Sequence, residues 1–69
     1  MNRFEHVILS LVSNVLSVPI NEEYIEFYAG TLFIKNFGID DANIVLNNLK
    51  QFGDIHMSKV GNEYAFDFV

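Results

Sequence analysis

The sequence predicts an α+β fold: an αββαββ two-layer sandwich with a four-stranded sheet and two helices on one face. Three observations carry that prediction. Apolar residues recur at helical spacing in two separate segments, alternation of apolar and polar residues marks two short stretches after each of them, and Ala29-Gly30 and Gly61-Asn62 interrupt the alternating stretches as tight breaks.

The first helix is predicted over residues 3–16. Phe4, Val7, Ile8, Leu11, Val12 and Val15 fall on one core-facing stripe, and Asn2 is placed to cap. Leu9 and Leu16 form a separate ridge beside it and widen the apolar arc beyond what one core needs, so they are expected to contact a partner or a second copy. Pro19 ends the helix, because its ring clashes with the preceding turn and it has no N–H to donate. In "YIEFYA", Ile25 and Phe27 share one face while Tyr24, Glu26 and Tyr28 share the other. Ala29-Gly30 turns the chain into "TLFIKNF", where Leu32 and Ile34 point inward and Phe33 outward, giving an antiparallel hairpin.

"GIDDANIVLNNLKQFG" reads as the second helix. Asp40 is the expected cap, Asp41 favours the positive end of the helix dipole, Ile39 is placed to staple to Ile44, and Gly53 is a left-handed stop. Val45, Leu49 and Phe52 form its buried stripe with Ala42 and Leu46 alongside, and Asn43, Asn47 and Asn48 make a solvated face. "DIHMSKV" and "EYAFDFV" then flank Gly61-Asn62 as a second hairpin. Tyr64, Phe66 and Phe68 alternate with Ala65 and Asp67, and the cost of burying a carboxylate puts the aromatic trio inward and Asp67 outward.

The passage from the second strand through the second helix into the last hairpin is a split βαβ unit with a right-handed crossover. The expected spatial order is one-two-four-three, with the second and fourth strands central and parallel in an antiparallel or mixed sheet. This is a ferredoxin-like sandwich entered at a different point, as if circularly permuted.

At 69 residues the chain is read as a single domain, 1–69, near the size at which one core barely suffices. An apolar content of 51% with seven Phe and three Tyr argues for a folded globule, part of whose apolar area is buried in a homodimer or against a partner. The absence of cysteine excludes disulfides and thiolate metal sites and accords with a reducing, cytoplasmic setting. Nine acidic against four basic side chains give a net charge of −5, which suits a basic protein partner and disfavours nucleic acid, whose binders neutralise phosphates with Lys and Arg. The apolar stretch after Arg3 does not read as a secretory signal, since Glu5 and His6 break its start and Ser13 and Asn14 its end. It is also shorter than the ~20 residues that span a bilayer, so no membrane association is expected.

Three stretches nonetheless bear a family likeness. "LFIKNF" looks like the first-strand motif of the RNA recognition motif family, "VLNNLKQFGDI" like its first helix running into its second strand, and "EYAFDFV" like its third-strand motif. Residues 31–69 thus resemble the first two-thirds of such a domain. The resemblance implies that Phe33 is a base-stacking platform for single-stranded RNA, with Tyr64 and Phe66 as its neighbours.

No catalytic or cofactor chemistry is expected. Asp54 and His56 share a strand face and could offer two metal ligands, but no third or fourth lies nearby in sequence, so no metal site is predicted. The serines sit in no nucleophile motif, no glycine-rich phosphate loop is present, and Glu22-Glu23 reads as solvated charge at a loop. The expected function is a non-enzymatic interaction module, an inhibitor or modulator of a basic or nucleic-acid-binding protein, acting through Tyr24, Glu26, Tyr28, Phe33, Lys35, His56, Ser58 and Asp67. Single-stranded RNA binding and homodimerisation through this face or the Leu9/Leu16 ridge are the alternatives.

Overall fold

Tight turns set the geometry of the sheet. Ala29 and Gly30 both take positive φ, 52° and 81°, which makes a type I′ turn whose twist matches that of paired strands. Gly61 has φ 61° while Asn62 does not share the positive φ, the pattern of a type II′ turn that requires glycine first. The computed structural model describes residues 2–69. Its elements in order are α1 (Arg3–Leu16), β1 (Ile25–Tyr28), β2 (Thr31–Lys35), α2 (Ile39–Leu49), a 3₁₀ turn (Lys50–Phe52), β3 (Ile55–Val60) and β4 (Glu63–Phe68).

The strand order is β1-β2-β4-β3, as expected, and every neighbouring pair is antiparallel. The expectation that β2 and β4 run parallel is therefore corrected. The crossover through α2 makes β2 and β3 the strands of common direction, and the Gly61 turn sends β4 back between them, opposed to both.

Ile8, Leu9 and Val12 from α1, Ala42, Val45 and Leu49 from α2, and Ile25, Leu32, Ile34, Tyr64 and Phe66 from the sheet form a single buried cluster. Each fully buried Leu, Ile or Phe contributes roughly 1.5–3 kcal/mol against exposure. At its rim a second motif closes the structure. The Phe4 ring stands edge-on to Phe27, Phe52 and Phe68 at 6.2, 6.2 and 5.4 Å, and Phe27 stacks on Phe68 at 5.7 Å.

Helix α1 starts as read, with Asn2 Oδ1 accepting from the Glu5 N–H at 2.9 Å. It ends on Ser17 in the left-handed region, with the Val18 N–H returning to the Ser13 carbonyl at 3.1 Å and the Ser13 hydroxyl donating to the Val18 carbonyl. Its rotation differs from the expected one. Leu9 is only 4% exposed and Leu16 packs half-buried on the core, whereas Phe4 and Val7 are 44% and 43% exposed. The Leu9/Leu16 ridge is thus core rather than a partner surface: the sheet lies on the side centred on Ile8, Leu9 and Val12, and this turns Val7 outward.

In α2 the cap is Gly38, not Asp40, and it offers no side-chain acceptor to the first-turn N–H groups; both Asp40 and Asp41 sit in the first turn against the positive dipole end. Ile39 consequently opens the helix instead of preceding its cap, and it and Ile44 remain half exposed. Phe52 leaves the buried stripe because the chain tightens to 3₁₀ after Leu49, so its ring meets Phe4 at the rim.

Leu9→Ala is expected to cost about 2–5 kcal/mol in urea unfolding, as a core truncation does, whereas a surface ridge residue would change stability by less than about 0.5 kcal/mol. Ala29→Asn, relieving a left-handed alanine with a residue that tolerates that conformation, should raise stability by about 0.5–1 kcal/mol at unchanged m-value. A loss of stability there would contradict the turn assignment.

Candidate functional site

The strand registers lay the outer sheet face, opposite the helix-packed side, out in rows. Glu26, Phe33, Ala65 and Ser58 stand directly across from one another along the middle row. Tyr28, Thr31, Asp67 and His56 form the row on one side, and Lys35, Glu63 and Val60 the row on the other. Phe33 therefore occupies the centre of the face. Ala65 beside it is buried yet lies outside the core cluster, as a methyl flanked by longer side chains would.

Polar contacts bind neighbouring strands across this face. The Thr31 hydroxyl donates to Asp67 Oδ1 at 2.5 Å. The Lys35 ammonium donates to Glu26 Oε1 at 3.0 Å and to the Glu22 carbonyl at 2.8 Å. That hydrogen bond to Glu26 raises the Lys35 pKa above its ordinary 10.5; burial opposes the rise, and the charges of Glu26, Glu63 and Glu22 add to it. Glu26, Tyr28, Phe33, Lys35 and Glu63 line a shallow depression of about 310 Å³. Three carboxylates (Glu26, Glu63, Asp67) share the face with one ammonium, and that ammonium is already engaged.

Of the residues singled out from sequence, Glu26, Tyr28, Phe33, Lys35, His56, Ser58 and Asp67 lie together on this face, with Tyr28 68% exposed at its corner. Tyr24 is the exception: it is half-buried and packs against the core. The cause is local, since the Asn21 carbonyl accepts from both Tyr24 and Ile25 N–H at 2.9 Å and curls the chain just before β1. Tyr64 and Phe66, the other two rings of the platform implied by the RNA recognition motif resemblance, are buried on the helix side. Sequence reading missed Glu63 and Thr31 as members of the face. The signal was present in the turn lengths, which fix Glu63 opposite Lys35 and Thr31 opposite Asp67 once both hairpins are closed.

Among the described residues no group of three or more His, Asp or Glu side chains gathers to hold a metal ion, and Asp54 lies exposed just before β3. No helix among them is long and apolar enough to cross a membrane. Neither protein-family models, nor curated proteins, nor solved structures gave a match to this chain.

Lys35 should titrate above 10.5, and Glu26→Gln should bring that value down, read from its side-chain carbon resonances. A raised folded-state pKa makes the contribution of this group fully present below 10.5 and lost as pH rises through the folded value, so its effect is confined to strongly alkaline solution. An unchanged Lys35 titration in the Gln variant would remove Glu26 as the dominant partner.

Proposed function

We propose that the protein is a small, acidic, non-enzymatic interaction module that engages a basic protein partner through the outer face of its sheet. The observation that carries this reading is an aromatic ring, Phe33, at the centre of a face no helix covers, surrounded by Glu26, Glu63 and Asp67 with its one ammonium tied to Glu26. Aromatic anchors supply apolar contact, while the surplus carboxylates steer a cationic partner and disfavour anionic ones. Such a face suits an inhibitor or modulator of a nucleic-acid-binding protein, because carboxylates held on a rigid sheet can occupy cationic sites that otherwise take phosphates. Cytoplasmic action belongs to the same reading and rests on the cysteine-free composition.

Single-stranded RNA binding is the second reading, favoured by the outward position of Phe33 on a central strand. Of the three rings that the resemblance implies only Phe33 faces out, and among the described residues the one lysine of the face is paired with Glu26.

The tagged protein should recover a basic protein from a lysate of its source cells, released by raised salt. Phe33→Ala with Tyr28→Ala should weaken that recovery by about thirtyfold or more, the loss of a binding hot spot, while the circular dichroism spectrum stays unchanged. Full retention would move the site off the sheet face. Shifts of the Phe33 amide on adding an oligouridylate at low salt would instead favour RNA, and a clean monomer in sedimentation at micromolar concentration would eliminate a homodimer.

A further inference from the structure

The two edges of the sheet are built differently. In a hairpin closed by a two-residue turn the residues flanking the turn form a hydrogen-bonded pair, and such pairs alternate along the strands. On β1 this turns Tyr28 and Glu26 toward β2 and leaves the backbone groups of Ile25 and Phe27 facing away from the sheet. The Ile25 N–H is taken by the Asn21 carbonyl. Among the described residues, the Ile25 carbonyl and both backbone groups of Phe27 then have no strand to pair with. On β3 the same count turns Met57 and Lys59 outward, and Lys59 holds its ammonium 5.6 Å from the centre of the Tyr64 ring. A lysine on an edge strand discourages strand addition. No lysine or arginine lies on β1.

A groove of about 410 Å³ runs along the β1 edge. Ile20 of the preceding loop and Phe27 line it with apolar side chains, and Leu9 of α1 reaches it only with the 4% of its surface left outside the core, while Glu5, Glu22 and Glu26 line it with no basic residue among the lining side chains. Ile20 is 45% exposed.

From these features we infer that the β1 edge receives an extended segment of the partner protein as a fifth strand, one in which apolar and basic residues alternate. Strand addition gives the Phe27 backbone groups and the Ile25 carbonyl the ladder partners they lack. The pleat then sorts the incoming side chains. Those on the helix side enter the Leu9–Ile20 groove, and those on the outer side lie beside Glu26, next to the depression around Phe33. A second copy pairing β1 with β1 would bring no lysine or arginine of that strand to an edge already lined by Glu5, Glu22 and Glu26. This inference rests on the basic-partner reading and adds where and in what conformation the partner binds.

The test uses an acetylated, amidated octapeptide of alternating Lys and Val, titrated at low salt into the isotope-labelled full chain. Expected are shifts at Ile25–Tyr28 and at the methyl groups of Leu9 and Ile20, with hydrogen exchange of the Phe27 amide slowed at least about tenfold at saturation. The same peptide N-methylated at alternate amides, a Glu-Val counterpart, and the Ile20→Arg protein should each bind at least about tenfold more weakly. Equal binding by the Glu-Val peptide would overturn the inference by showing that charge plays no part. Shifts centred on Phe33, Ala65 and Ser58, with Phe27 exchange unchanged and N-methylation without effect, would overturn the edge mode while leaving the basic-partner reading intact. No response at either surface at millimolar peptide would overturn both.

Discussion

The seat of Phe66 in the core fixes most of what surrounds it. Its fully buried ring lies on β4 between Leu32 of β2 and Met57 of β3, so it sets the register of both pairings that β4 makes. A slip of one residue would exchange the two faces of the strand and carry Asp67 into the apolar layer, at the cost of desolvating a carboxylate without a cation. With Phe66 inward, Ala65 and Asp67 must face outward. Thr31 is then positioned to donate to Asp67, and Phe33 stands over a small neighbour on an uncovered face. The acidic-aromatic face follows from the core, because a period of two along β4 leaves each strand residue only one alternative side.

The same periodicity explains why the strands could be read from the sequence and the helices only in part. Alternation in "TLFIKNF" and "EYAFDFV", together with glycine-bearing breaks, is enough to assign inward and outward residues, and the outer face of the sheet emerges nearly complete. Helix α1 is different, since Phe4, Val7, Ile8, Leu9, Leu11 and Val12 spread apolar side chains over much of its circumference. A moment that broad leaves the rotation about the axis undetermined until the sheet supplies a direction, and the sheet selects Leu9 over Val7. The start of α2 was ambiguous as well. Asp40 is the stronger capping residue type, yet the backbone leaves extended geometry two residues earlier, at Gly38, which carries no side chain to signal it. The ion pair of Lys35 with Glu26 joins different strands and is invisible to local pattern, as is the groove beside β1, which draws on α1, the loop at Ile20 and the strand itself.

Charge contributes little to holding this fold together. Among the described residues the sheet face carries one salt bridge, Lys35–Glu26, partly open to solvent and of the kind that contributes little to folding. Its carboxylates are spaced by the ladder rather than gathered into one cluster, so their mutual repulsion is spread over several strands while the field they project adds up. The stability of the chain therefore rests on its apolar layer, to which the surface charges add little.

The four-phenylalanine rim also has a topological meaning. Phe4 and Phe68, near opposite ends of the chain, touch edge to face with their ring centres 5.4 Å apart. The first helix and the last strand of αββαββ are therefore neighbours in space, and the contacts between elements close into a ring. Joined at the rim and reopened at the Gly38 connection or in the Ala29-Gly30 turn, the same layers would be traced in another order with the same neighbours. A ring of this kind makes the arrangement of helices and strands in space more fundamental than their order along the chain.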